Sequence, residues 1–185
     1  MNTPLWIVLG LVLLVVLYFW SLYNGLVSLK TSIEEAWSQI DVQLKRRADL
    51  IPNLVETIKG YAKHEKTVFS DVTKARSTMM GARSMESKAA ASDMLTAALG
   101  KLIAIAEAYP QLKANENFVQ LQKELSDTED KVAYSRQYHN SLIRDYNEKI
   151  RTFPNTLFNE SLGFKEKEYF QALEGERKSV KVNFS

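Results

Sequence analysis

The sequence predicts an all-α protein, an amino-terminal transmembrane helix followed by an antiparallel up-down four-helix bundle, and three observations predict it. Residues 5 to 23, LWIVLGLVLLVVLYFWSLY, run for 19 positions without a charge. Apolar residues then recur every three or four positions through almost everything that follows, and period-two alternation is absent until the last few residues. Pro110 and Pro154 each stand where a periodic run stops, because proline lacks the amide donor and disfavours helix at the residue before it. The division is 1–24 as anchor, 25–155 as bundle and 156–185 as a carboxy-terminal segment with a short helix and an extended tail.

The anchor comes first. Nineteen residues at about 1.5 Å each cover roughly 28 Å, close to the hydrocarbon thickness of a bilayer. Trp6 stands at one end and Tyr18, Trp20 and Tyr23 at the other, the places where rings with a polar edge meet the two interfaces. A cleaved signal peptide would have a basic start and a small-residue cleavage site, whereas this stretch opens MNTP and runs into bulky aromatics. A retained single span is therefore expected. Lys30 and the Lys45-Arg46-Arg47 cluster follow the span and no basic residue precedes it, so the charge bias leans towards a cytoplasmic bundle.

Beyond Asn24-Gly25, Leu26, Leu29, Ile33, Trp37, Ile40 and Leu44 line one face of a helix continuous with the span. Pro52 then poses a choice. A proline deep in a helix loses the bond to the carbonyl four residues back, at Ala48, and costs about 3 kcal/mol. In a first turn it costs little, and Asp49 is placed to cap such a turn. The expectation is a tight turn around Arg47 to Ile51, with the next helix carrying Ile51, Leu54, Val55, Ile58, Phe69, Val72 and Met79. GARSMES at 81–87 is a connection, with Ser87 as the following cap. A third helix covers Ala89 to Tyr109, and a fourth runs from about Asn115 to Thr152. After Pro154 the text offers a short helix near Lys165 to Leu173 and an alternating tail, Val180, Val182, Phe184.

Several blocks carry a resemblance: YNGLV at 23–27, DVQLKRRADLIPNLVETIKGYAKHE at 41–65, AYPQLKANENF at 108–118, LQKELSDTEDKVAYSRQYHN at 121–140, YNEKI at 146–150 and FPN at 153–155. Together they closely resemble the LemA family of bacterial membrane-anchored proteins. The resemblance implies one amino-terminal span and a four-helix bundle. It brings no catalytic residue and no cofactor to carry across.

The residues themselves point away from catalysis. There is no cysteine, so there is no disulfide, thiolate site or cysteine nucleophile. Both histidines, His64 and His139, read as surface residues. Neither has the glutamate three positions earlier that bundle di-metal sites use: Tyr61 and Arg136 stand there. No phosphate loop, GxSxG or HExxH motif occurs. The expectation is no enzyme, no metal and no cofactor. With Lys and Arg at 24 against 22 acidic residues, the net charge of +2 excludes a broad nucleic-acid surface.

Two surfaces remain. Lys45, Arg46, Arg47 and Asp49 form a candidate partner patch. They lie about 22 residues and roughly 33 Å beyond the span, several Debye lengths from their own bilayer. Phe158, Phe164, Lys165, Lys167 and Phe170 form a candidate second lipid contact, the competing reading being that these rings cover the open end of the bundle. The function read from this is a scaffold or interaction module of the cell envelope, self-associating or binding other envelope proteins. The alternative is a lipid-organising protein working through the aromatic segment, with a bundle metalloenzyme behind both.

Overall fold

The computed structural model describes residues 3–170 and contains five α-helices, with no strand among the described residues. Helix α1 spans Thr3–Lys59, α2 Lys66–Gly81, α3 Met85–Glu107, α4 Pro110–Lys113 and α5 Glu116–Arg151; a single 3₁₀ turn follows at Asn155–Leu157. The all-helical class holds, and one long apolar helix leads. Leu173 and the tail at 180–184 lie outside the described residues. The part of the expected last helix that is described, 165–170, has no helical turn.

The main departure concerns Pro52, which lies inside α1 with no turn around it. The expected hairpin at 47–51 is replaced by one helix to Lys59 and a connection at 60–65. Asp49 consequently caps nothing. What makes the interior proline tolerable is visible at Ala48, whose carbonyl Pro52 leaves without its helical donor. The Arg76 Nε–H from α2 donates to that oxygen at 2.8 Å. Ala48 is fully buried, so a carbonyl left bare there would be costly, and the bond from α2 removes that cost.

Local signals elsewhere set the ends. Ser84, rather than Ser87, is the N-cap of α3, and Ser87 closes a reciprocal capping box with it. Pro110 opens the one-turn α4 at its first position, where a missing amide costs nothing. Asn115 accepts from the Phe118 amide at 3.1 Å and starts α5.

The chain forms two compact units. One comprises the residues up to Trp37 together with Tyr138–Tyr169. Its core is Leu22, Leu26 and Ile33 of α1 against Ile143, Tyr146 and Ile150 of α5, closed by Phe164. Past Arg151 the chain turns back. Asn155 donates to the Lys149 carbonyl at 2.7 Å and Asn159 to that of Ile150, satisfying two acceptors that the end of α5 leaves open. Gly163 takes φ +75°, a conformation that strains any side chain, and directs Phe164 inward.

The other unit is Ser38–Gln137 with Phe170. Here α2 and α3 pack antiparallel across the short 82–84 link. Polar contacts fix the remaining directions. Asp41 pairs with Lys88, and Arg47 with Thr96 at 2.9 Å, so this part of α1 runs parallel to α3. Arg47 also meets Glu129, and Tyr61 accepts from Asn115 at 3.1 Å, so α5 runs antiparallel to α1. The interior is filled by Ile40, Leu44, Ile51 and Ile58 of α1, Phe69 and Val72 of α2, Leu95 and Leu102 of α3, and Leu125 and Val132 of α5.

The proline accommodation gives a coupled prediction. Arg76→Gln should cost about 1–2 kcal/mol by baring the Ala48 carbonyl. In a Pro52→Ala background the same change should cost distinctly less, because residue 52 then supplies the amide. Urea unfolding of the four proteins checks it, and strict additivity would sink the explanation.

Candidate functional site

The thirteen candidate site residues lie in unlike surroundings. Leu5 to Leu17 present their apolar side chains outward all around α1, and Trp6 and Trp20 are about two-thirds exposed. The most apolar window of this helix has mean hydropathy 2.6 and is almost wholly unburied. Helix α3 is also long and apolar enough to cross a bilayer, at mean hydropathy 1.4, but one of its faces is packed in a protein core, as its Leu95, Leu99 and Leu102 show. An all-round exposed apolar helix fits a membrane location, since water would leave that surface uncompensated.

Beside the end of this apolar stretch lies the turned-back segment. The Tyr18 hydroxyl donates to Asn155 Oδ1 at 3.3 Å, Phe158 stands edge-on to Phe19 at 4.7 Å, and Phe164 meets Tyr23 at 5.6 Å. Phe164 is therefore core, and Phe158 is only partly open. Phe170, in the other unit, is buried with the Arg136 guanidinium 4.6 Å from its ring centre. Of the five proposed lipid-contact residues, Lys165 is exposed and Lys167 is half-buried. The large apolar side chains left open on this segment are Phe153, Leu157, Phe158, Leu162 and Tyr169. The two leucines went unread because the periodicity ends at Pro154, and without a period nothing in the sequence says which way a side chain faces.

The Lys167 backbone is held at two points: Asn147 donates to its carbonyl at 2.8 Å and accepts from its amide at 2.9 Å. Arg151 forms a two-pronged ion pair with Glu166, and this hydrogen bonding holds the carboxyl below its ordinary range. Tyr23, Val27, Lys30, Tyr146 and residues 162–167 enclose an open cleft of about 540 Å³.

The basic triplet divides. Lys45, Arg46 and Asp49 are exposed and share one face of α1 with Val42, an exposed apolar residue, at the i, i+3, i+4, i+7 spacing. Arg47 turns inward, correcting its place in the patch. It is 2% exposed, donates to Thr96, and pairs with Glu129 at 3.1 Å. Arg136 donates to the buried Ser92 at 2.9 Å, with Asp93 at 3.7 Å. Burial lowers the Arg47 pKa, Glu129 raises it, and the neighbouring Arg136 lowers it again. The register explains the inward turn, since 40, 44, 47, 48 and 51 all lie on the buried stripe of α1.

His139 is a second correction. It is fully buried in its unit, its ring 6.0 Å from that of Trp37. Burial is the main cause of a lowered pKa, opposed by hydrogen bonding with Asn140 and reinforced by the charge of Lys167. The signal was available: Val132, His139, Ile143, Tyr146 and Ile150 continue one stripe at steps of seven, four, three and four. His64 is exposed, in the 60–65 connection. Among the described residues, no three His, Asp or Glu side chains converge as a metal site would need.

Comparison with known proteins adds identity to this geometry. The profile of the LemA family matches residues 36–184. Magnetosome protein MamQ 2 of Paramagnetospirillum magneticum is 26% identical over 175 residues, covering 80% of this chain and 64% of that protein. Magnetosome protein MamQ of Magnetospirillum gryphiswaldense matches to the same extent over 174 residues. Protein LemA of Metamycoplasma hominis is 28% identical over 158 residues, 85% of this chain and 72% of that one. The chain thus spans a little under two-thirds of the length of the magnetosome relatives.

Two expectations follow from the buried polar groups. Glu129→Gln should cost about 2 kcal/mol by leaving the Arg47 charge without its counterion, somewhat less than for a fully enclosed pair because Glu129 is half in water. Arg47→Met should stay within about 1 kcal/mol of the parent, since an apolar chain of similar length fills the space. Equal losses in denaturant melts would contradict this account. For His139, the folded pKa lies below the ordinary 6.5. As pH falls through 6.5 the unfolded chain takes up a proton that the folded chain refuses, so stability drops until the lower folded pKa is reached. Urea midpoints between about pH 7 and pH 5 should fall in the parent and fall less in His139→Leu.

Proposed function

The chain belongs to the LemA family, and from that premise we propose that it is a single-pass, membrane-anchored scaffold or protein-interaction module of the bacterial cell envelope, without catalysis. In this reading the four long helical runs, from α1, α2, α3 and α5, form an antiparallel up-down bundle. The observation that carries it is the change of surface along α1. The same helix that exposes apolar side chains in every direction from Leu5 to Leu17 goes on to bury a single stripe from Leu22 to Ile58. Such a helix is solvated by lipid in one part and by a protein core in the other. The alternating directions of the helices fixed by Asp41–Lys88, Arg47–Glu129 and Tyr61–Asn115 support the bundle.

The membrane is the bacterial cytoplasmic membrane, and the bundle is cytoplasmic on the charge bias of Lys30, Lys45 and Arg46. The partner is a second copy or another envelope protein, met through the face made by Val42, Lys45, Arg46 and Asp49. That face sets an exposed apolar residue beside three charged ones, a mixed surface that a protein partner can meet. The polar interior supports a structural role for the buried Arg47 and the half-buried Arg136, which are engaged with Glu129, Thr96 and Ser92. The lipid-organising alternative is favoured by one observation, the packing of Phe158 and Phe164 against Phe19 and Tyr23 at the end of the apolar stretch.

Leu13→Arg should raise the cost of insertion by about 3 kcal/mol and shift the protein towards the carbonate-extractable fraction. A photoreactive amino acid at Arg46 should give discrete adducts with itself or an envelope protein, whereas one at the exposed Thr78 should not. Adducts at Thr78 alone would move the interface off α1.

A further inference from the structure

The open cleft beside Tyr23 has a composition and a depth that the anchoring role leaves unexplained. Its walls carry Lys30 from α1 and Lys165 and Lys167 from the turned-back segment, against one carboxylate, Glu166. That carboxylate is already committed to Arg151. The ammonium of Lys149 sits against Gly25, on the turn of α1 between Tyr23 and Lys30, adding a fourth cation at this level. Among the described residues no ion pair engages Lys30, Lys165 or Lys167, and the tyrosines Tyr23 and Tyr146 line the cleft with these three cations.

Its depth follows from the helix. Val27 and Lys30 stand four and seven residues beyond Tyr23, about 6 Å and about 10 Å along the axis. The headgroup layer outside the hydrocarbon is about 5–8 Å deep, and a lysine stem can fold back several ångströms. The apolar neighbours agree. Phe153, Leu157 and Leu162 are exposed on the same segment, whose Asn155 and Phe158 touch Tyr18 and Phe19 within the apolar stretch.

We propose that this cleft binds the phosphate of an anionic membrane lipid, Lys30, Lys165 and Lys167 taking the headgroup while Phe153, Leu157 and Leu162 enter the acyl boundary beside it. The proposal rests on α1 being the membrane anchor. Three features make the site specific rather than a general attraction. The segment is fixed by the Asn147 grip on Lys167, by the inward plug of Phe164, and by the Asn155 and Asn159 caps on α5. The lysines are therefore held around one volume before any lipid arrives, and less ordering is lost on binding. Lys45 and Arg46 belong to the other unit and take no part.

The test uses the full chain reconstituted in vesicles of phosphatidylcholine with a minor share of phosphatidylglycerol, with spin-labelled forms of each lipid reporting which one the protein retains. The parent should retain phosphatidylglycerol over phosphatidylcholine, each lysine contributing up to about fivefold. Lys30→Gln/Lys165→Gln/Lys167→Gln should bring the ratio close to one with the helical circular dichroism unchanged, and the Lys45→Gln/Arg46→Gln protein should keep the parent ratio. The single Lys30→Gln change, on a regular exposed helix, reads the same effect at smaller size should the triple variant fold poorly. A parent ratio near one, or a ratio that survives loss of Lys30, overturns the site. Loss of the preference on adding soluble glycerol phosphate overturns the lipid source and assigns the cleft to a free phosphate ester. A parent that fails to float with vesicles of either composition overturns the anchor itself, an outcome separate from the others.

Discussion

One helix that must satisfy two solvents is the constraint on which the rest depends. Along α1 the exposed apolar band gives way, near Leu22, to a buried stripe through Leu26, Ile33, Ile40, Leu44, Ala48, Ile51 and Ile58. A helix fully sheathed in apolar side chains is stable in lipid because its backbone polar groups are all paired internally. A helix with one apolar stripe needs protein against it. Each of the two units supplies that protein to its own part of α1: Ile143, Tyr146 and Ile150 of α5 in one, α2, α3 and the first half of α5 in the other. Continuity through Pro52 is thus a requirement, and the Arg76 side chain meets it by taking over the carbonyl that proline cannot use.

The interior of each unit also holds groups that an efficient hydrophobic core would omit. Arg47 lies beneath the surface with Thr96 and Glu129, and His139 is enclosed near Trp37. Neither adds much net stability over an apolar residue of similar size. What Arg47 contributes is register: its two bonds are satisfied only when α3 and α5 are aligned to within a fraction of a helical turn. A stripe of alanines and leucines such as that of α3 accepts several alignments almost equally well, and a buried guanidinium that must reach Thr96 and Glu129 penalises all but one.

Much of this was legible in sequence because helical cores impose a period. The apolar amino-terminal helix, the stripes of α2 and α3, the stop at Pro110 and the end of α5 before Pro154 follow from spacing and from proline chemistry alone. The reading failed at Pro52 because the rescue of the Ala48 carbonyl comes from Arg76, twenty-eight residues on in the neighbouring helix. A local rule about turns cannot see a distant donor. Arg47 and His139 have residue types usual at surfaces, yet both fall on buried stripes, and there position decides over type. The segment after Pro154 has no period, so the exposure of Leu157 and Leu162 and the burial of Phe164 emerged only from its folded path.

That path is held in an unusual way for an all-helical chain. The Asn147 amide meets both the carbonyl and the amide of Lys167, pairing with it as one strand pairs with another. Because the grip is on main chain, it makes no demand on the side chain at 167, and Gly163 and Phe164 fix the approach from the other side. The route of the segment and the chemistry it displays are therefore separable. With Asn147, Gly163 and Phe164 kept, Lys165, Glu166 and Lys167 can be exchanged, retuning what this surface meets while the fold beneath stays as it is.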